Sequence, residues 1–150
     1  MSLDRLDRIK GCLYGGAIGD ALGYPVEFLQ EGSIFRQYGD EGIHSFVYDT
    51  NGKSLVSYDT QMTLFTANGL LIDSDVDTIE RIKAMYLSWY YTQNLSFDQV
   101  QKLKKERTDL SYQSWLLDIT DLFDQRAPGI TCLSALEDIK EGKQDRKSVV

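Results

Sequence analysis

Glycine recurs at every fourth position near the N-terminus, at Gly11, Gly15, Gly19 and Gly23. The stretch also carries Leu6, Ile9, Leu13 and Ile18 at helical spacing, which predicts a helix over residues 3–22. Each interior glycine costs a helix about 0.5–1 kcal/mol relative to alanine. A stripe of four on one face is best explained by close approach of another backbone or a ligand. Membrane helices use this spacing for packing, but Asp20 and the short apolar length exclude a membrane span here. Gly23 and Pro25 should stop the helix, leaving Glu27 in an extended stretch just beyond.

The rest of the chain carries the same helical periodicity and no alternating strand pattern of useful length. Residues 30–56 are dotted with glycine and read as one long connection holding His44, taken as an ordinary surface or packing histidine. A second helix is expected over residues 60–72. A third should open at Asp77-Thr78-Ile79-Glu80, with Trp89, Tyr90 and Tyr91 in the core. Ser96-Phe97-Asp98-Gln99 reads as a capping box opening a basic helix to Arg107. An apolar stretch follows over residues 115–123, then a break at Arg126-Ala127-Pro128-Gly129, then a short helix over 131–140 that Gly142 can end. This pattern predicts an all-α domain over residues 1–142 and a polar, frayed tail over 143–150.

Charge and cysteine usage narrow the function classes. The 150 residues carry 23 acidic against 16 basic side chains, a net charge of −7. That argues against a nucleic-acid surface, which needs clustered cations to neutralise phosphates. Lys102, Lys104, Lys105 and Arg107 cluster on a helix and read as a solvated face. Cys12 and Cys132 stand far apart, as isolated thiols of a reducing compartment do. Charged Asp4, Arg5, Asp7 and Arg8 rule out a signal peptide, and no apolar run is long enough for a membrane. A cytoplasmic location is expected.

The chemistry concentrates in Ser57-Tyr58-Asp59-Thr60-Gln61-Met62, at the junction between a polar segment and an apolar helix. Asp59 can cap that helix by accepting its free N–H groups. A hydroxyl and a carboxylate there can equally point oxygen ligands at a hard cation.

Three separated stretches together resemble the ADP-ribosylglycohydrolase family. Gly16-Ala17-Ile18-Gly19-Asp20-Ala21-Leu22-Gly23-Tyr24-Pro25-Val26-Glu27 is similar to its opening helix and following glutamate. Ser57 to Leu71 is similar to its Ser/Thr-Asp-Asp-Thr-Gln-Met metal motif. Arg126-Ala127-Pro128-Gly129-Ile130-Thr131-Cys132 is similar to an Arg-Ala-Pro-Gly-Asn-Thr-Cys stretch of bacterial members. The resemblance implies an all-α fold and release of ADP-ribose from modified proteins with two Mg2+ ions. It implies Glu27, Ser57 and Asp59 as metal ligands, with Glu27 and Asp59 catalytic. Asp20, Gly129 and Thr131 would serve the ADP-ribose side of the site. Two dications could grip ribose hydroxyls and acidify a water while a carboxylate takes its proton.

The departures bear on activity. Tyr58 stands where the motif has its first aspartate, and a phenol with a pKa of about 10 is a poor magnesium ligand. Ile130 stands where an asparagine is expected. Family members run to about twice this length, with a second set of metal ligands near the far end. A formal match, Asp75-Val76-Asp77-Thr78, reads instead as a helix cap. The expectation is a truncated domain, weak or inactive as a hydrolase. The alternatives are a catalytically dead remnant binding ADP-ribose or a protein, and a plain helical interaction module. A partner supplying a second half, or self-association, would cover surface left by an incomplete core.

Overall fold

The computed structural model describes residues 4–143, and every regular element among them is helical. The chain divides into two units, with the boundary after Thr60. The element order is α1 (Arg5–Gly23), a 3-10 turn (Tyr24–Val26), α2 (Glu31–Tyr38), α3 (Tyr58–Leu71), α4 (Thr78–Asn94), α5 (Phe97–Glu106), three 3-10 turns, and α6 (Ile130–Lys140). The all-α expectation holds. The predicted tail beyond Lys143 lies outside the described residues.

In the first unit α1 covers the predicted helix, and Pro25 enters the tight turn that follows it. Glu27 is not extended, contrary to expectation. Its φ of −51° and ψ of −39° continue the helical turn, and its N–H donates to the Tyr24 carbonyl. The segment over 30–56 is not a plain connection either, because α2 occupies its first third and ends at Gly39, whose φ is 88°. Further on, the Asp49 carboxylate accepts from the N–H groups of Asn51 and Lys53 at 2.8 and 2.9 Å, closing a small loop. These backbone bonds hold the Asp49 carboxyl below its usual range. His44 is exposed, and its Nδ1 lies in hydrogen-bond range of the nearby Gly42 carbonyl at 3.1 Å.

No other backbone among the described residues approaches the glycine stripe, which leaves that face open. A Cβ built at Gly11, Gly15, Gly19 or Gly23 would meet nothing within 4 Å, and all four are exposed. The backbone approach that needs glycine occurs in the second unit, at Gly69. A Cβ there would lie 3.0 Å from the Ile82 Cα of α4. Cys12 is likewise exposed and Cys132 half-buried; both thiols are free.

The second unit holds the core. Phe65, Met85, Trp89, Val100, Leu116 and Leu117 are buried to 1% exposure or less. Fully burying one such side chain contributes about 1.5–3 kcal/mol. The capping box of α5 forms as expected, with Ser96 accepting from the Gln99 N–H and Gln99 answering at the Ser96 N–H. Asp77 caps α4 through the Ile79 N–H at 2.8 Å, while Glu80 turns instead to Lys83. The apolar stretch over 115–123 is two tight 3-10 turns, with Trp115 exposed. Lys104 leaves its solvated face to pair with Asp118 at 2.6 Å, which holds that carboxyl below its usual range. No described helix is long and apolar enough to cross a membrane.

Candidate active site

Asp20 is the centre of the first unit's polar cluster. It sits near the C-terminal end of α1, next in sequence to Ala21, the buried residue of that helix. The Asp20 Oδ2 accepts from the Ser57 backbone N–H at 2.9 Å and from the Thr60 hydroxyl at 2.5 Å. Hydrogen bonds to a charged acceptor contribute about 1.5–3 kcal/mol each. Two motifs far apart in sequence are thus tied together by one carboxylate.

Ser57 is buried, and its Oγ accepts from the Asp59 N–H at 3.1 Å. The hydroxyl that caps α3 is therefore Ser57, and Asp59 lies inside the first turn. The capping expectation for Asp59 is corrected: its carboxylate is exposed rather than folded back on the helix end. A carboxylate in a first helical turn is favoured by the unsatisfied N–H groups there. Glu27 is also exposed, in the turn after the 3-10 segment. It adjoins Phe28, which helps line a cleft of about 380 Å³ with Tyr24, Pro25, Val47 and Tyr48.

These residues do not make a two-magnesium centre. Such a pair needs several negative oxygens around it. Among the described residues, no group of three His, Cys, Asp or Glu side chains is arranged to hold a metal ion. One oxygen of Asp20, Oδ2, already accepts from Ser57 and Thr60, and Tyr58 stands beside Asp59 where a second acid would be needed. Among the described residues the donors present do not by themselves fit two dications.

Gly129 and Thr131 belong to the second unit. Gly129 is the N-cap of α6 and Thr131 is exposed in its first turn. Ile130 between them is 86% exposed. Just upstream, Ala127 holds a φ of 54°, a left-handed conformation uncommon for a residue with a side chain. Strain of this kind costs of order 1–3 kcal/mol and tends to sit at functional positions.

What the sequence reading missed is the amide latch beneath this stretch. Gln61 is buried, receives the Trp89 indole N–H at 3.0 Å, and donates to the Asp124 carbonyl at 3.1 Å. Gln125 donates to the Gln93 carbonyl at 2.9 Å. The segment leading to Ala127 is fixed by the Gln61 side chain of α3 and by its own Gln125 amide on the α4 backbone. A signal was present. Gln61, Phe65 and Asn68 fall on one helical face, so two polar groups were bound for burial and needed partners.

The ADP-ribosylglycohydrolase family description matches residues 1–149. The ADP-ribosyl-(dinitrogen reductase) glycohydrolase of Rhodospirillum rubrum is 36% identical over 80 residues, covering 49% of this chain and 26% of that protein. The matched part is thus about a quarter of that relative's length. No solved structure matches the chain. A helical fold, a glycine helix clasped by Asp20 to Ser57 and Thr60, and a match over nearly every residue lead to one statement: the chain belongs to the ADP-ribosylglycohydrolase family.

Proposed function

We propose that this chain is an ADP-ribose-handling domain whose own capacity to release ADP-ribose from modified proteins is weak or absent. The observation that carries the reading is the Asp20 clasp. It sets Ser57, Asp59 and Thr60 in one fixed turn while leaving the Asp59 carboxylate open to a ligand. An open carboxylate can accept a proton from a water or a ribose hydroxyl. Glu27, also open, is the second candidate for that task. Gly129 and Thr131 are the candidates for the ADP-ribose contacts. The R. rubrum relative is named for acting on ADP-ribosyl-dinitrogen reductase; by analogy the partner here is an ADP-ribosylated protein, met in the cytoplasm.

Weakness follows from the donor set. The family's magnesium pair would supply an acidified water and a grip on the ribose, but Tyr58 and the lack of an acidic trio among the described residues give it too few negative oxygens here. Unaided carboxylates must then do all the work. The same observations favour a second reading, a binding module that holds ADP-ribose without turnover.

Release of ADP-ribose from an ADP-ribosylated protein, with and without magnesium, tests both. The expected result is little or no release, together with ADP-ribose binding seen by calorimetry and weakened by Asp20→Ala. Robust turnover that Asp59→Asn abolishes would overturn the weakness. Absence of both turnover and binding would overturn the ADP-ribose reading altogether.

A further inference from the structure

The second unit contains a cleft of about 490 Å³ that none of the family motifs touches. Its apolar floor comes from Leu87, Leu110 and Ile139. One wall carries Tyr91 and Tyr112, whose rings stack with centroids 4.8 Å apart and 13° between planes. Arg107, just past the end of α5, and Lys140, in the last turn of α6, line the same cleft. A neighbouring cleft of about 420 Å³ shares Ala84, Leu87 and Ile139 and offers an internal control.

The two clefts differ in how their cations are used. In the neighbour, Lys83 is paired with Glu80 at 2.9 Å, and Lys143 is paired with Asp138 and Glu141. In the larger cleft neither Arg107 nor Lys140 has a carboxylate ion-pair partner among the described residues. Lys140 only lies 5.6 Å from the Tyr90 ring. Placement at helix C-termini explains one cation by the helix dipole. It does not explain why two from different helices line one hollow in a chain of net charge −7. Asp109 is the opposing charge in the lining. Burial and a hydrogen bond with Tyr91 push the Tyr112 phenol up to about 12, so at neutral pH the ring wall adds no negative charge.

From this arrangement we infer that the cleft between α4, α6 and the 110–112 turn binds a small aryl phosphate. The volume falls within the range of small-molecule sites, about 300–1,000 Å³. An apolar floor and a ring wall suit a flat ring, which gains from offset or edge contacts with tyrosine. A phosphate suits two cations on separate elements better than a carboxylate does, because it presents three oxygens and up to two charges. The Arg107 guanidinium can take two of those oxygens side by side.

Calorimetric titration of the whole chain with phenyl phosphate, inorganic phosphate and benzyl alcohol tests this. Phenyl phosphate should bind at least about ten-fold more tightly than either fragment probe, and Arg107→Gln or Lys140→Gln should each weaken it about ten-fold. Lys83→Gln, which alters the paired cleft, should leave the affinity unchanged. Arg107 and Lys140 are exposed, so their variants should fold. Phenyl phosphate binding no better than inorganic phosphate, or binding indifferent to both variants, would overturn the site.

Discussion

The two units differ in where their apolar side chains go. The second buries Phe65, Met85, Trp89, Val100, Leu116, Leu117 and Leu136. Among the described residues the first buries Ala21 as its only hydrophobic core residue, and exposes Ile9, Tyr14, Ile18, Phe28 and Phe35 among others. Apolar burial is the main favourable term in folding, so the second unit carries most of the stability. The first carries Asp20, Glu27, Ser57 and Asp59, which the function would use. Its order rests on polar bonds such as the Asp20 clasp rather than on a packed interior. The lesson is a division of labour: a hydrophobic scaffold in one stretch of chain, and a hydrogen-bonded turn with exposed acids in the other.

The largest expected effect breaks the scaffold side. Trp89→Ala removes a fully buried ring and leaves Gln61 without its indole donor. A loss of about 4 kcal/mol is expected, read as a lower urea midpoint of the second unit. Next comes Gln61→Leu, which strands the Trp89 N–H and the Asp124 carbonyl at a cost of about 2–3 kcal/mol. Its signature should be faster amide exchange over residues 122–127, in contrast to Ser88→Ala, which removes a bond to the Ser111 carbonyl instead.

On the other side of the comparison, Asp20→Ala should cost about 2 kcal/mol locally. Exchange should quicken at the Ser57 amide, which donates to Asp20, while the urea midpoint of the second unit stays put. A drop in that midpoint would mean the two regions are not energetically separate. The smallest effect is expected from Gly15→Ala. With open space at its Cβ, the change should be neutral or stabilise α1 by up to about 1 kcal/mol. Destabilisation there would show that something covers the glycine face in solution.

Helices were legible wherever periodic apolar residues met a recognisable start. The Ser96–Gln99 box and the Asp77 cap needed only local chemistry, and both formed. Glu31–Tyr38 was hidden because a glycine and charges dilute its pattern, though Gly39 marks its end. The turns over 115–123 were read as one stretch because apolar runs do not distinguish tight turns from a helix by periodicity. At the candidate site, residue types were readable and their partners were not. Gln61 meets the Asp124 carbonyl across 63 residues, a separation no local pattern reports. The choice between Ser57 and Asp59 as the cap turned on a shift of two residues in the helix start, the least certain quantity in any such reading.

The Asp20 clasp also has a kinetic side. It joins groups 37 and 40 residues apart, so the entropy of closing that loop must be lost before the bonds reward it. Helix α1 can form within microseconds of its own accord, yet its aspartate stays without these donors until Ser57 and Thr60 have been synthesised. At ribosomal speed that is a wait of about 2–8 seconds, during which the nascent helix relies on solvent alone.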